Sequence, residues 1–558
     1  MNGNGRNMYV FRDGRRSLAG ARLAEELADS LRRLASPSSG RDVSSSPVLT
    51  DCLLRAGELE CALDDAGSPE TPRLAVLTDW LARLRVGAEC CRPEAAAMLE
   101  LMPQQTPSQL SLAPAEGFAY YGLHPLDFAG LAARVPVRGS HVAVIGIRSI
   151  GTTLSALVAA AFLKRGLHVE RIAVRPTGHP YDRHTEFAPA QLRWLARRRA
   201  DQAKFVVADE GPGMSGSSFL SVGEALLGAG VARTEIQFLC SREPDIQALC
   251  ARNAAARWSN FQFAAVPPTG RLPAEARVYI GSGFWRHELM GPDPAVWPAS
   301  WTQMERTKFL SPDHRWFFKF DGFGRFGEEI RQRAQALSEA GYVAAPGDSD
   351  EGFGCYRFVP GTMLTAAQAD CPVLQRIAQY CAFRWAYFRS CEEQNAGQIE
   401  TMVRFNLGEE FGRELNGSLG RLGADHPVLV DGRMSPHEWI RARDGRLLKC
   451  DAVSHGDDHF FPGPATDICW DLAGTIVEWD LQKDAAEYFV RCYQQASGDD
   501  PRPRLPGFLL AYAVFRSAYC KMAAAAMSGS DEEKRLLQTH DYYRGYVESL
   551  LPRESMAA

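Results

Sequence analysis

The sequence has few of the features that mark secreted, zinc-binding or membrane proteins. Its 14 cysteines form no repeated Cys-x-x-Cys pattern, which argues against a zinc site and favours reduced thiols. Residues 1–16 are polar and basic, and no apolar run is long enough to cross a bilayer, so we expect a cytoplasmic protein with no membrane partner. A formal net charge of −5 gives no reason to expect a nucleic acid partner.

The 558 residues are too many for one ordinary core, and their patterning predicts three domains. Apolar residues at helical spacing predict an N-terminal helical segment over 1–115. Short apolar strands then alternate with helices over 116–300, which predicts an α/β fold with a parallel sheet. The pattern changes again over 301–558, where the elements predict a second domain of the α+β class.

The strands of the predicted parallel sheet are 142–147, 169–174, 205–208, 236–239 and 277–280. The third of them ends in Asp209 and Glu210 and leads into a turn rich in glycine and serine, before a predicted helix at 219–227. Backbone amides freed by such glycines, serine hydroxyls and a helix N-terminus can together bind a phosphate. The alternative interpretation is an ordinary surface turn that follows a strand.

This segment resembles the signature with which type I phosphoribosyltransferases bind phosphoribosyl pyrophosphate (PRPP), although its spacer is one residue longer. The resemblance implies a divergent member whose base acceptor is open. It implies that Asp209 and Glu210 contact the ribose and that Asp209 holds Mg²⁺. It also implies that Arg148, after the first strand, stabilises the leaving pyrophosphate. The residues that it implies for binding PRPP are Ser149, Gly151, Thr152, Gly213, Ser215, Gly216, Ser217 and Ser218.

A basic loop follows the second predicted strand. It contains Arg175, His179 and Arg183, and we interpret it as a mobile flap that closes over a polyanion. An ordinary solvated surface loop is the alternative.

The pattern over 301–558 resembles the two-lobed aminoglycoside-phosphotransferase-like kinases. The resemblance implies that Lys319 contacts the phosphates of ATP or another nucleotide, that Glu328 or Glu329 holds this lysine, and that Asp451 binds Mg²⁺. It further implies that Asp467 and Asp471 cap a helix or hold a loop.

The sequence departs from the kinase pattern one motif earlier. Arg433 stands at the position of the catalytic aspartate, and Glu438 stands at that of the metal-binding asparagine. A guanidinium cannot accept a proton, so Asp431, Glu438 or the cluster at 455–459 are the candidate substitutes. That cluster either binds a metal or supports Asp451, and we favour support.

Three functions are consistent with these patterns. The first is an enzyme that transfers phosphoribosyl from PRPP to an unknown small-molecule acceptor, fused to an ATP-binding kinase-like domain and acting in nucleotide or nucleoside metabolism. In the second, the reaction runs in reverse and the kinase-like domain phosphorylates the released sugar or nucleoside. The third is a sensor that binds PRPP or a nucleotide without turnover.

Overall fold

The computed structural model describes residues 8–36, 43–89, 94–267, 271–348, 352–392, 396–412, 419–456 and 458–551. The chain divides into two compact units. The sheet unit comprises Arg15–Pro273 and Gly322–Glu328, and the cavity unit comprises Met1–Gly14, Ala274–Asp321 and Glu329–Ala558. Across the described ranges, no helix combines the length and apolarity that a membrane span requires.

The described elements of the sheet unit are ten helices and nine strands. The helices are α1 (Gly20–Ala35), α2 (Pro47–Asp65), α3 (Thr71–Val86), α4 (Ala95–Leu99), α5 (Glu116–Ala119), α6 (Pro125–Arg134), α7 (Ile150–Lys164), α8 (Pro189–Ala200), α9 (Ser217–Gly228) and α10 (Ala254–Trp258). The strands are β1 (Arg16–Leu18), β2 (Leu110–Leu112), β3 (His141–Ile147), β4 (His168–Val174), β5 (Thr177–His179), β6 (Asp182–His184), β7 (Lys204–Ala208), β8 (Ile236–Cys240) and β9 (Gln262–Ala265).

The main sheet has five parallel strands in the order β4-β3-β7-β8-β9, which confirms the predicted parallel sheet. Strand β7 is buried along its whole length, so its apolar run was readable from the sequence. The fifth strand was predicted wrongly: it is β9, not 277–280. The residues of β9 are only half-buried or exposed, and they therefore form no continuous apolar run.

The predicted N-terminal domain, 1–115, is not a separate body in this structure. Residues of α1, α2 and α3 share one apolar core with Ala156, Leu157 and Ala160 of α7, which flanks the sheet. Gly57 of α2 lies so close to Thr153 of α7 that a Cβ at this glycine would overlap the threonine hydroxyl. The predicted helices are confirmed, but they belong to the sheet unit because they bury its helix α7.

The described elements of the cavity unit are eight helices and seven strands. The helices are α11 (Phe284–Met290), α12 (Arg325–Glu339, whose first turn is counted with the sheet unit), α13 (Cys371–Tyr387), α14 (Ala396–Phe411), α15 (Cys469–Glu478), α16 (Lys483–Ser497), α17 (Leu505–Ala526) and α18 (Asp531–Leu550). The strands are β10 (Val278–Tyr279), β11 (Lys308–Leu310), β12 (Trp316–Phe320), β13 (Phe353–Arg357), β14 (Gly361–Met363), β15 (Trp439–Ala442) and β16 (Leu447–Lys449).

Two antiparallel sheets, β10-β11-β12-β13 and β14-β15-β16, accompany the helices of the cavity unit. This arrangement confirms the predicted mixture of strands and helices. The predicted boundary at residue 300 is too late, because Val278 and Tyr279 pair with Leu310 and Phe309 of β11. The C-terminal part of the unit therefore begins at Ala274.

Candidate functional site

The cavity unit contains a large cavity with a volume of about 240 Å³. Lys319 of β12 and Asp451, just after β16, both line it. An apolar part of its wall consists of Phe358, Val359, Met363, Ile440 and Leu448. A charged and an apolar lining in one cavity is the usual composition of a small-molecule site.

Lys319 and Asp451 contact each other, although 132 residues separate them in the chain. The Lys319 ammonium donates a hydrogen bond to Oδ1 of Asp451 and another, of 2.6 Å, to the hydroxyl of Ser454. Nζ of Lys308 lies 3.5 Å from Oδ2 of the same aspartate. Burial and the nearby Lys308 lower the pKa of Lys319 well below its usual value. Asp451 thus contacts Lys319 through Oδ1 and faces Lys308 through Oδ2.

The backbone of Asp451 has a φ of 52°. A left-handed backbone is uncommon outside glycine and occurs often at functional sites. The other predicted partner of Lys319, Glu328, is exposed in the first turn of α12, and the next residue, Glu329, is exposed as well. Their pairing with Lys319 stays a prediction.

A buried lysine, Lys449, neutralises the carboxylates of the segment that departs from the kinase pattern, Asp431 and Glu438. Asp431, Glu438 and His455 hold donor atoms close enough together to suggest a metal centre. However, Nζ of Lys449 lies 2.8 Å from Glu438 and 3.4 Å from Asp431. Lys449 lowers the pKa of both carboxyl groups against the effect of burial. Lys449 therefore supplies the positive charge beside these three side chains. The sequence patterns did not predict this contact.

Two aspartates of the next segment hold the loop in place. The carboxylate of Asp471 accepts hydrogen bonds from the backbone amides of Asp431 and Gly432, at 2.7 and 2.9 Å. Asp467 accepts from the amide of Cys469 at 2.8 Å, at the start of α15. Burial and the neighbouring Asp431 raise the pKa of Asp471 to about 6. The contacts of Asp471 agree with the loop-holding role that the resemblance implied, whereas the N-cap of α15 is Ile468 and neither aspartate occupies it.

The cluster at 455–459 contacts Asp451 through one histidine. Nε2 of His455 lies 3.4 Å from Oδ2 of Asp451, and burial lowers the pKa of His455 to about 3. His459 forms an ion pair with Asp458 and stacks on Phe11. Asp457 lies outside the described residues. These contacts favour the supporting role over a dedicated metal.

In the sheet unit, the two predicted phosphate-binding turns begin side by side. Strands β3 and β7 are neighbours, and Gly146 pairs with Ala208 at their carboxyl ends. Gly151, in the first turn of α7, approaches so closely that a Cβ there would lie 2.8 Å from the carbonyl oxygen of Ala208. Ser149 precedes that helix, and Thr152 is buried within it. The geometry brings both turns to one edge of the sheet.

The serine turn is bonded to the hairpin formed by β5 and β6. Ser217 donates a hydrogen bond of 2.6 Å to the carbonyl oxygen of Pro180, and Ser215 donates one of 2.8 Å to the same atom. Gly216, with a φ of 67°, precedes α9, while Gly213 is exposed and Ser218 is half-buried. The predicted flap thus lies directly against the predicted phosphate-binding turn.

The paired acidic residues have strongly raised pKa values. Burial raises the pKa of Asp209 to about 7, and burial together with Glu116 and Asp209 raises that of Glu210 to about 8. Glu210 accepts a hydrogen bond of 2.8 Å from the amide of Gly117. Arg183 of the hairpin partly offsets the shift at Asp209. Such perturbed carboxyl groups are typical of functional sites.

Two acidic residues of α2 pair with Arg148, which was expected at the pyrophosphate, and with Arg175 of the predicted flap. Nη1 of Arg148 lies 3.1 Å from Asp64 and 3.0 Å from Asp65. Nε of Arg175 donates a hydrogen bond of 2.7 Å to Asp65. The sequence contained one signal for this pairing, because adjacent carboxylates at the C-terminal end of a helix oppose its dipole and need cations nearby. His179, at the end of β5, is exposed.

No family model and no curated protein matches the chain. Among solved structures it is similar to a choline/ethanolamine kinase family protein from Mesorhizobium loti. The two sequences are 12% identical, the match covers 45% of this chain and 86% of that chain, and the TM-score is 0.30. It is also similar to a choline kinase from Streptococcus pneumoniae, with 15% sequence identity and a TM-score of 0.27. That match covers 43% of this chain and 90% of the choline kinase. A third similar structure is a putative aminoglycoside phosphotransferase from Ralstonia eutropha, with 14% sequence identity and a TM-score of 0.32. That match covers 44% of this chain and 88% of the phosphotransferase.

Proposed function

We propose that the cavity unit binds a nucleoside triphosphate with Mg²⁺ and acts as a phosphotransferase. The contact between Lys319 and Asp451 inside the 240 Å³ cavity carries this proposal. An ammonium and a carboxylate from distant parts of the chain suit a phosphate and the metal that accompanies it. The apolar wall around Met363, Ile440 and Leu448 suits the flat ring of a base.

The oxygen donors of the cavity fit Mg²⁺ at Asp451. Mg²⁺ in nucleotide sites is usually held by one or two carboxylates together with substrate phosphates, and Asp451 supplies such a carboxylate on the cavity wall. When bound, the ion neutralises charge on the phosphates.

The reaction forms a bond between an acceptor hydroxyl oxygen and the γ-phosphorus, and breaks the bond from that phosphorus to the β-bridging oxygen. A nucleoside diphosphate leaves, and the hydroxyl proton passes through an oxygen of the transferred phosphoryl group to solvent. Glu438 and Asp431 have lowered pKa values and are weak bases, so this chain depends on positioning and charge.

Calorimetry with ATP and Mg²⁺ tests the binding step. We expect Lys319→Met and Asp451→Asn to weaken binding at least about tenfold, because each removes a charged contact. Lys534→Met is the matched control, since that lysine forms an ion pair with its side chain 77% exposed. Unchanged ATP affinity in both cavity variants would contradict the proposal. Binding without nucleoside diphosphate release for any acceptor would favour the sensor function instead.

A second candidate function, phosphoribosyl transfer from PRPP by the sheet unit, is favoured by one arrangement. The turns after β3 and β7 adjoin, and the half-buried Asp209 and Glu210, whose pKa values are raised, open the second of them. A nucleophile would bond to C1 of the ribose as the bond to pyrophosphate breaks, and carboxylates there would stabilise the positive ring. Mg²⁺ would sit at Asp209 with the pyrophosphate. Release of pyrophosphate from PRPP, and its loss in Asp209→Asn, is the test.

A further inference from the structure

The lining of the large cavity carries more positive than negative groups. Seven lysine and arginine side chains line it, against four carboxylates. The cations are Arg306, Lys308, Lys319, Arg357, Arg433, Lys449 and Arg516, and the carboxylates are Glu305, Glu438, Asp451 and Asp458. Lysine and arginine side chains thus outnumber carboxylates in the cavity lining, even before the charge of a metal ion is counted.

Most of these groups already have a partner of opposite charge. Lys308 and Lys319 share Asp451, and Lys449 pairs with Glu438. Outside the lining, Glu478 lies 3.1 Å from Nε of Arg516.

Arg433 differs from Lys308, Lys319, Lys449 and Arg516. In the parts of the chain that the structure describes, no carboxylate oxygen lies within 4.0 Å of its guanidinium, which instead lies 5.9 Å from the centre of the Tyr519 ring. The guanidinium of Arg516 lies 5.4 Å from the centre of the same ring. Two like charges therefore flank one tyrosine. Both arginines and the tyrosine also line a smaller cavity of about 20 Å³ beside the first.

We propose that Arg433 and Arg516 bind a phosphomonoester group of the acceptor substrate. This inference rests on the proposed phosphotransferase function and gives its substrate class: an acceptor that is already phosphorylated, such as a sugar phosphate. A phosphomonoester carries close to two negative charges at neutral pH, and a guanidinium binds its oxygens through two parallel hydrogen bonds. Trp285, Tyr512 and Tyr519 line the same cavity and offer faces for the sugar.

The experiment measures the binding of ribose 5-phosphate by calorimetry to the full chain saturated with a non-hydrolysable ATP analogue and Mg²⁺. We expect saturable binding of ribose 5-phosphate, and none of ribose or of choline, which carries a positive charge. Arg433→Gln should weaken binding at least about tenfold, and Arg433→Lys by less, because lysine keeps the charge but not the paired hydrogen bonds. Arg357→Gln is the matched control, since this exposed cavity arginine packs over Trp316.

Each other outcome overturns the inference in a distinct way. If ribose 5-phosphate does not bind while the ATP analogue does, the substrate class is wrong and the proposed function survives. If Arg433→Gln weakens the ATP analogue as much as ribose 5-phosphate, Arg433 belongs to the nucleotide phosphates. If a simple carboxylate such as acetate or a sugar acid binds as tightly, the site is a general anion site. Failure of the analogue itself to bind overturns the proposed function.

Discussion

Replacing Arg171 by methionine should destabilise the sheet unit strongly. Arg171 of β4 forms two hydrogen bonds with Glu60 of α2, at 2.8 and 2.9 Å, and a further one with Asp79 of α3. The side chains of Arg171 and Glu60 are only 5% and 6% exposed. The substitution would leave the Glu60 carboxylate buried without its cation, between the N-terminal helices and the sheet.

The expected loss is about 3–5 kcal/mol, the range for breaking a buried ion pair from one side. For a unit of this size that corresponds to a fall in melting temperature of roughly 6–20 °C. Burial already raises the pKa of Glu60 and would raise it further without Arg171. A carboxyl with a raised pKa in the folded state contributes stability below its unfolded pKa, and this is lost as pH rises. The defect should therefore be smaller at pH 5 than at pH 8.

Hydrogen exchange of peptides from β3 and β4 in the full chain measures this loss. Arg32→Met is the matched control, because Arg32 and its partner Asp29 are 58% and 63% exposed, and we expect a change below about 1 kcal/mol. The double variant Arg171→Met with Glu60→Leu should recover much of the loss, since no charge stays buried. A defect of Arg171→Met no larger than that of Arg32→Met would refute the claim that the N-terminal helices are part of this unit's core.

Two further perturbations test the packing and the pH dependence. Gly57→Val should destabilise the sheet unit because its side chain would overlap Thr153, whereas Gly130→Ala, where a Cβ meets no atom within 4 Å, should be neutral or slightly stabilising; thermal melts of both variants check this. Glu410 has its pKa lowered to about 2 by its cationic neighbours, so it contributes stability above its unfolded pKa of 4.5, which is lost as pH falls through about 2. Urea melts from pH 6 to pH 2 should show a shallower decline for Glu410→Gln than for the native chain.

Local patterns predicted the elements that are buried on both faces. Strands β3 and β7 are almost wholly buried, and the helices α7 and α9 follow turns with glycine and serine, so their apolar runs were long and bounded. Strand β9 was missed because an exposed edge strand has no need of an apolar run.

The candidate sites were predictable only where a motif marks the residue. The resemblance singled out Lys319 and Asp451 separately, and the structure brings the two into contact. Lys449 between Asp431 and Glu438 was not predictable, because a side-chain pairing across many residues leaves no local spacing. The same holds for the bond from Ser217 to Pro180, which depends on how the hairpin folds back.

The departures from the kinase pattern are consistent with one another electrostatically. Glu438, whose side chain is 13% exposed, adds a negative charge in a largely enclosed place, and such a charge is tolerated only when it is paired. Lys449, 2.8 Å away, supplies that pairing. Because Asp471 also fixes the amides of Asp431 and Gly432, the loop is held in place without a metal ion.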